Sequence, residues 1–252
     1  MTAPGRPSAD DQGKGAQGTP TGAITGTRPE PQVLPRSVLL GALRLMPSTA
    51  TAAIPAVLAT AAVQSALMYL DVQSGFSPAF VLSFLLSAVV TLLLYGLLTA
   101  CALTAADRPP EPGASRRTTV VQRLRAHVGL FAGWAFLQWL AILLVSVINP
   151  LLIVLVAGLT PFLPLAAVDG HRNALATNLR VIARRPGRWL LTCVVLLVGG
   201  LVLFLLSVAN TLFVQGTPAA AIFWLSIGLV AWWVLTAWAL IYRAAPAGSR
   251  VD

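Results

Sequence analysis

The sequence predicts an all-α integral membrane protein with six transmembrane helices, and three observations carry this prediction. The chain of 252 residues is 57% hydrophobic and only 10% charged, whereas soluble domains are roughly 45–50% apolar and about a quarter charged. Its apolar runs are long enough to cross a bilayer, and its basic residues lie only on one side of the resulting helices. Because folding at this length removes only about 70–75% of the chain's surface from water, a single soluble domain is excluded.

The first 35 residues are predicted to be a disordered cytoplasmic tail. They contain six prolines, six glycines and no apolar run, so no secretory signal is visible and disorder is favoured. Insertion into the membrane is therefore expected to depend on the first transmembrane helix. Residues 243–252 form a second predicted cytoplasmic tail.

The membrane domain covers residues 36–242 and is predicted from the lengths of its apolar runs. A hydrocarbon core about 30 Å thick requires about 20 apolar residues in a helix. Residues 128–168 form a run of 41, and Asn149-Pro150 at its midpoint is a turn signal that divides it into a hairpin. The six predicted spans are about 48–70, 79–106, 128–148, 151–168, 189–214 and 220–242.

The distribution of charge predicts the orientation of these spans. All 17 basic residues lie in the N-terminal segment, the loops at 107–127 and 169–188, and the C-terminal tail. The other connections, 71–78, 149–150 and 215–219, contain no lysine or arginine, so the positive-inside rule places both termini in the cytoplasm. Because the basic residues are arginines except for one lysine, and alanine is abundant, we expect the plasma (inner) membrane of a bacterium.

Three short basic amphipathic segments, 36–46, 119–127 and 171–185, each precede a pair of spans. Helices with one apolar and one basic face lie in the headgroup plane and attract anionic lipid. The architecture is therefore predicted to be three units, each an interfacial helix followed by a transmembrane hairpin. The residues expected to contact anionic lipid or a partner protein are Arg36, Arg44, Arg123, Arg125, Arg172, Arg180, Arg184, Arg185 and Arg188.

Two stretches carry a resemblance to a known family. One is an interfacial helix that ends in proline. In the other, prolines are followed by an acidic turn, by a helix that begins with Ala-Leu, and by a basic and an aromatic residue that lead into the fifth span. The residues are Ser37 to Pro47, Pro161, Pro164, Asp169, Gly170, Ala174, Leu175, Arg184 and Trp189. Over residues 36–242 this order resembles the six-span membrane domain of the glycerophosphodiester phosphodiesterase membrane-domain superfamily, in its stand-alone form. The resemblance implies the architecture and no activity, and it implies a small hydroxyl residue where this chain has Asn178.

No ionisable side chain falls within the predicted span limits, which argues against catalysis and against proton or sodium coupling. We therefore predict that the protein is not an enzyme and has no catalytic, cofactor-binding or metal-binding residue. His127 and His171 lie in the interfacial segments, and neither has a second ligand at metal-binding spacing. Since the basic residues flank membrane helices, we expect lipid rather than nucleic acid as the anionic partner.

A few uncharged features inside the spans remain open to two interpretations. Gln64, Gln138 and Asn210 could line a polar pathway or form hydrogen bonds between helices, and the packing interpretation is favoured. The prolines in the spans, Pro55, Pro161 and Pro164, mark either simple kinks or a binding site.

The predicted function is that of an accessory or scaffolding membrane subunit that contacts anionic lipid and partner proteins. The alternative is the permease subunit of an ABC-type exporter. In that case 36–46 would be the elbow helix, and 119–127 or 171–185 would dock a cytosolic ATPase. The short outer connections and the third basic helix favour the first interpretation, and the substrate and oligomeric state stay open.

Overall fold

The computed structural model describes residues 38–70, 77–107, 116–149, 152–184, 186–213 and 216–244. These residues belong to one structural unit, are helical almost throughout and contain no strand. The predicted tail at 1–35 and most of the tail at 243–252 lie outside the described residues. The helices are α1 (Val38–Leu45), α2 (Ala50–Leu70), α3 (Pro78–Ala106), α4 (Arg116–Ile148), α5 (Leu152–Leu159), α6 (Leu163–Val168), α7 (Ala174–Arg184), α8 (Pro186–Phe213) and α9 (Thr217–Arg243), and a 3-10 turn, Met46–Thr49, joins α1 to α2.

Five stretches of helix in the described residues are long and apolar enough to cross a membrane. They are Val38–Leu67, Pro78–Ala106, Arg117–Ile148, Trp189–Asn210 and Thr217–Arg243. The all-α prediction is confirmed for the described residues, and several membrane-capable helices are what a multi-pass membrane protein requires. Each of these stretches overlaps one of the predicted spans.

The fourth predicted span, 151–168, is not one continuous helix. It consists of the short helices α5 and α6, which are separated by Thr160–Phe162. Pro161 has no N–H to donate, and it disfavours helical geometry at the residue before it, so α5 ends at Leu159. Pro164 lies in the first turn of α6, where proline is tolerated. Pro55, by contrast, lies inside α2 without ending it.

The three predicted interfacial helices differ in their outcome. The first and third correspond to α1 and α7. The second, 119–127, lies in the first part of α4, which a kink at His127 separates from the part of α4 that forms the next predicted span. A departure from helical geometry at His127, with φ −127° and ψ 17°, marks the predicted boundary between them.

Segments of five helices form two regions that differ in how closely their side chains pack. We call residues 94–106 of α3, all of α6 and 232–243 of α9 the packed half. Here residues 161–168 are all buried, and so are residues 98–105 and 234–239. We call residues 78–93 of α3, 139–148 of α4 and 200–210 of α8 the open half, because none of these side chains is buried.

Glycine allows close helix contact at Gly228 of α9 and at Gly96 of the packed half. An ideal Cβ on Gly228 of α9 would lie 2.6 Å from Val57 Cγ1 of α2, and one on Gly96 of α3 would lie 2.8 Å from Phe131 of α4. Any side chain at these positions would force the neighbour to move, so the α2–α9 and α3–α4 contacts depend on glycine.

Candidate functional site

Two carboxylates and two guanidinium groups meet where α3, α6 and α9 end. Arg243, the last residue of α9, donates to both carboxylate oxygens of Asp169 at 2.7 and 2.8 Å. Its Nε lies 2.8 Å from Oδ1 of Asp107, and Arg123 of α4 donates to Oδ2 of Asp107 at 2.6 Å. We call these four residues the ion cluster, and Arg243 is the residue that joins the three helix ends.

The position of both carboxylates at helix C-termini explains why they need this partner. Asp107 caps α3 and Asp169 caps α6, at the end of each helix where its dipole disfavours negative charge. Burial alone raises the pKa of the Asp169 carboxyl. The hydrogen bonds and charge of Arg243, with the charges of Arg123 and His171, outweigh this effect and lower its pKa below the usual value. The cluster therefore favours ionised Asp169.

The ion cluster was not anticipated from the sequence, which gave Asp107, Asp169 and Arg243 no role of their own. A signal was present, because Asp107 and Asp169 each follow an apolar run and Arg243 ends the last one. Which of them pair is decided only when the helix ends come together. Asp107 and Asp169 are also the only acidic residues in the described part of the chain.

The predicted lipid-contacting arginines fall into different environments. Arg44, Arg125, Arg172 and Arg184 are exposed. Arg123 is half-buried and bonded to Asp107 in the ion cluster, so an internal contact occupies it, whereas Arg180 is half-buried on α7. Arg36, Arg185 and the side chain of Arg188 lie outside what the structure describes.

Both histidines lie beside the turn that follows α6. Gly170 in this turn has φ +89°, and an ideal Cβ there would lie 2.8 Å from Cε1 of His127, so the position requires glycine. His171 Nε2 lies 4.0 Å from Oδ2 of Asp169. The histidines thus border the ion cluster from α4 and from the turn itself.

Asn178 of α7 completes the backbone hydrogen bonding of the break between α5 and α6. Its Oδ1 accepts from the Phe162 N–H at 2.9 Å, and its Nδ2 donates to the Leu159 carbonyl at 2.7 Å. Trp189 of α8 donates its indole N–H to the Gly158 carbonyl at 2.7 Å. In an unbroken helix these two carbonyls would accept hydrogen bonds from backbone N–H groups of the next turn. The side chains of Asn178 and Trp189 replace these bonds at the break.

The break also explains the residue type at position 178. The Asn178 side chain is completely buried, and its amide both donates and accepts at the break. A small hydroxyl residue, which the resemblance implies here, is shorter than an amide and presents a single oxygen. The two contacts of Asn178 therefore make it a structural residue of the α5–α6 break.

The three uncharged polar residues named from the sequence all form hydrogen bonds that link helices. Gln64 of α2 donates to the Ser87 carbonyl and to Thr91 Oγ1 of α3, at 3.1 and 3.0 Å. Gln138 of α4 accepts from the Tyr95 hydroxyl at 3.2 Å and donates to Thr160 Oγ1 at 2.7 Å. Asn210 of α8 donates to the Ala219 carbonyl of α9 at 2.6 Å. These contacts fit the packing interpretation.

Comparisons with protein-family models, with curated proteins and with solved structures found no match to this chain.

Proposed function

We propose that this chain is a non-enzymatic multi-pass protein of the bacterial plasma membrane that acts as an accessory or scaffolding subunit and binds anionic phospholipid at its basic end. The observation that carries the proposal is that the carboxylates at this end are paired with internal arginines, whereas other arginines are exposed. Both described carboxylates are occupied by Arg243 and Arg123. Arg44, Arg125, Arg172 and Arg184, which are exposed like Arg117, therefore meet no competing acidic side chain among the described residues.

Arginines in this setting favour a membrane partner. Each basic residue near an anionic leaflet contributes about 1 kcal/mol of attraction, which is screened within a Debye length. Leu175 and Leu179 of α7 are also exposed, at 39% and 50%, beside these arginines. Exposed leucines with arginines on one short helix are typical of a segment that lies in the headgroup region.

The proposed topology has six crossings and cytoplasmic termini, and the path of α5 and α6 supports it. The Gln138–Thr160 contact and the bond of 3.3 Å from the Trp134 indole to the Arg172 carbonyl place α5 and α6 antiparallel to α4. The two short helices thus return from Asn149 to Asp169, at the end where Arg243 lies. The same architecture is what the resemblance to the glycerophosphodiester phosphodiesterase membrane-domain superfamily implies.

Reporter fusions at the two termini test this topology. Six crossings put both termini on the cytoplasmic side, whereas five crossings put them on opposite sides. A reporter inserted at Gly216, between α8 and α9, is expected on the side opposite to the C-terminus. Termini on opposite sides of the membrane would exclude α5 and α6 as a crossing.

Lipid binding is tested with the purified full chain in a mild detergent. We expect phosphatidylglycerol to raise the unfolding temperature more than zwitterionic phosphatidylcholine does. Replacing Arg44, Arg125, Arg172 and Arg184 together with glutamine should remove this difference. The matched variant with four lysines keeps the charges and should retain most of it. Equal effects of the two lipids on the unmodified chain would refute the proposal.

Copurification from native membranes separates the proposed function from the exporter alternative. A stoichiometric cytosolic ATPase, lost when the exposed face of α7 is substituted, would favour the exporter with α1 as elbow and α7 as docking helix. A membrane protein or anionic lipid in its place would favour the accessory role.

A further inference from the structure

A cavity of about 600 Å³ lies between five of the helices. In the described residues α3 contacts α4, α4 contacts α5, α5 contacts α8, α8 contacts α9 and α9 contacts α3, so the helices form a ring around it. Leu98 and Trp238, both buried, lie at its inner end in the packed half. Phe84 and Leu85, 47% and 54% exposed, lie at its other end in the open half.

The cavity offers few polar groups, and most of these already have partners in the protein. Besides the indole N–H groups of Trp139 and Trp238, its polar side chains are Thr91, Tyr95 and Gln138. Thr91 accepts from Gln64, Tyr95 donates to Gln138, and Gln138 donates to Thr160. A buried water needs two to four polar partners, and apolar cavities instead stay dry and bind apolar molecules. The lining therefore favours a hydrocarbon occupant over water or a polar solute.

The dimensions fit one lipid chain. Phe84 and Leu98 are 14 residues apart on α3, a distance of about 21 Å along the helix axis at 1.5 Å per residue. One leaflet of a hydrocarbon core about 30 Å thick is about 15 Å deep. The volume is also within the range of about 300–1,000 Å³ that is usual for ligand pockets.

We propose that this cavity binds one acyl chain of a membrane phospholipid, which enters from the leaflet beside the open half. The packed half closes the inner end of the cavity, because residues 98–105 and 234–239 are buried there. The ion cluster and the exposed arginines lie beyond this closed end. This proposal rests on the membrane location in the proposed function and adds a lipid chain that the protein holds. It does not depend on lipid binding by the exposed arginines.

Gly200 of α8 gives a way to fill the cavity without disturbing the helices. It lines the cavity, and an ideal Cβ on it meets no atom within 4 Å. Gly133 of α4 is a matched control, since a Cβ there also meets nothing within 4 Å and the residue does not line the cavity. Gly200→Phe should therefore occupy the space that a lipid chain would take, while Gly133→Phe should not.

The test uses phosphatidylcholine with a photoreactive group on one acyl chain, which has no net headgroup charge. The full chain is reconstituted with this lipid, extracted into mild detergent to remove loosely held lipid, irradiated and mapped by mass spectrometry. Lining residues such as Phe84 and Leu203 should be labelled several-fold more than the exposed Leu82 and Leu197, which do not line the cavity.

Gly200→Phe should reduce the labelling of lining residues several-fold, and Gly133→Phe should leave it unchanged. If Gly200→Phe does not fold, the smaller Gly200→Leu is used. In the unmodified chain, the ratio of labelling at lining residues to labelling at outer residues tests the proposal without any variant. Equal labelling of both sets, or labelling that survives a folded Gly200→Phe variant, would overturn the proposal. Because phosphatidylcholine carries no net charge, this result is independent of the arginine test.

Discussion

The packed half and the open half are both largely apolar but differ in how tightly they pack. On α3, Leu98 is 1% exposed and Leu82 is 68% exposed, although both are leucines of one helix. The packed part of α3 is rich in small residues, with Gly96 and the run Thr99 to Ala102, whereas residues 79–93 are mostly leucine, valine and phenylalanine. Small residues let helix backbones approach closely, and large ones hold them apart.

Hydrophobicity alone therefore does not decide which membrane-facing segments pack against each other. In a bilayer, lipid tails are as apolar as leucine, so helix contact depends on shape and on polar bonds. The packed half has both, since its small residues fit together and the ion cluster joins its helix ends. The open half leaves its large side chains to lipid or to a partner.

The largest expected effect comes from removing the cation that joins the packed half. Arg243→Gln leaves Asp169 without its arginine and Asp107 with Arg123 alone, and because the Arg243–Asp169 pair is mostly shielded from water we expect a loss of about 4 kcal/mol. Unfolding of the detergent-solubilised chain, followed by circular dichroism, measures this effect. The control is Arg125→Gln, since Arg125 is exposed and its loss should leave the free energy of unfolding nearly unchanged.

A second substitution distinguishes the ion pair from nonspecific loss of packing. Adding Asp169→Asn to Arg243→Gln removes the carboxylate that the first substitution leaves without an arginine, since Asp107 keeps Arg123, and should recover part of the stability. Stability of Arg243→Gln equal to that of the unmodified chain would mean that the ion cluster does not hold the packed half together.

The next effect concerns the α5–α6 break at the edge of the packed half. Asn178→Ala leaves the Phe162 N–H and the Leu159 carbonyl without partners, and unsatisfied buried groups cost about 1–3 kcal/mol each. We expect a loss of about 3 kcal/mol and faster hydrogen exchange at Phe162. Exchange there at the unmodified rate would show that another group satisfies the break. Asn173→Ala removes only an exposed bond from the Ala176 N–H at the start of α7, and it serves as the reference with an expected loss of about 1 kcal/mol.

Glycine substitutions compare tight and open positions directly. Gly228→Ala places a methyl group 2.6 Å from Val57 Cγ1 and is expected to lower the free energy of unfolding by about 2 kcal/mol. Gly200→Ala, in the open half, meets no neighbour and should raise it by up to about 1 kcal/mol through helix propensity. The same sign for both substitutions would mean that the two positions are equally crowded.

The smallest effect is expected for a polar bond beside the open half. Gln64→Leu removes the amide bonds from α2 to Ser87 and Thr91 of α3, and such bonds in membrane proteins contribute about 0.6 kcal/mol on average. The unfolding temperature should fall slightly, and Leu67→Ala on the same helix serves as a reference for lost packing. A loss as large as that of Arg243→Gln would instead make Gln64 a main determinant of the fold.

Much of the fold could be predicted from the sequence, because apolar run length is a local property. A helix crosses hydrocarbon only if it is long and apolar, so the helices at 79–106, 189–214 and 220–242 follow from composition alone. The kink at His127 also coincides with a predicted boundary. An interruption at Pro161 was predicted as a kink or a site, whereas the full division of 151–168 into two helices was not.

The sequence by itself determined the all-helical class, the approximate limits of its long apolar helices and the confinement of basic residues to alternate segments, since run length and charge position are read along the chain. Only the tertiary structure decided that Arg243 joins Asp107 to Asp169, that Asn178 completes the α5–α6 break, and that five helices enclose an apolar cavity. These features join residues far apart in the chain. No local pattern encodes such pairings, because they depend on which helix surfaces meet when the helices assemble.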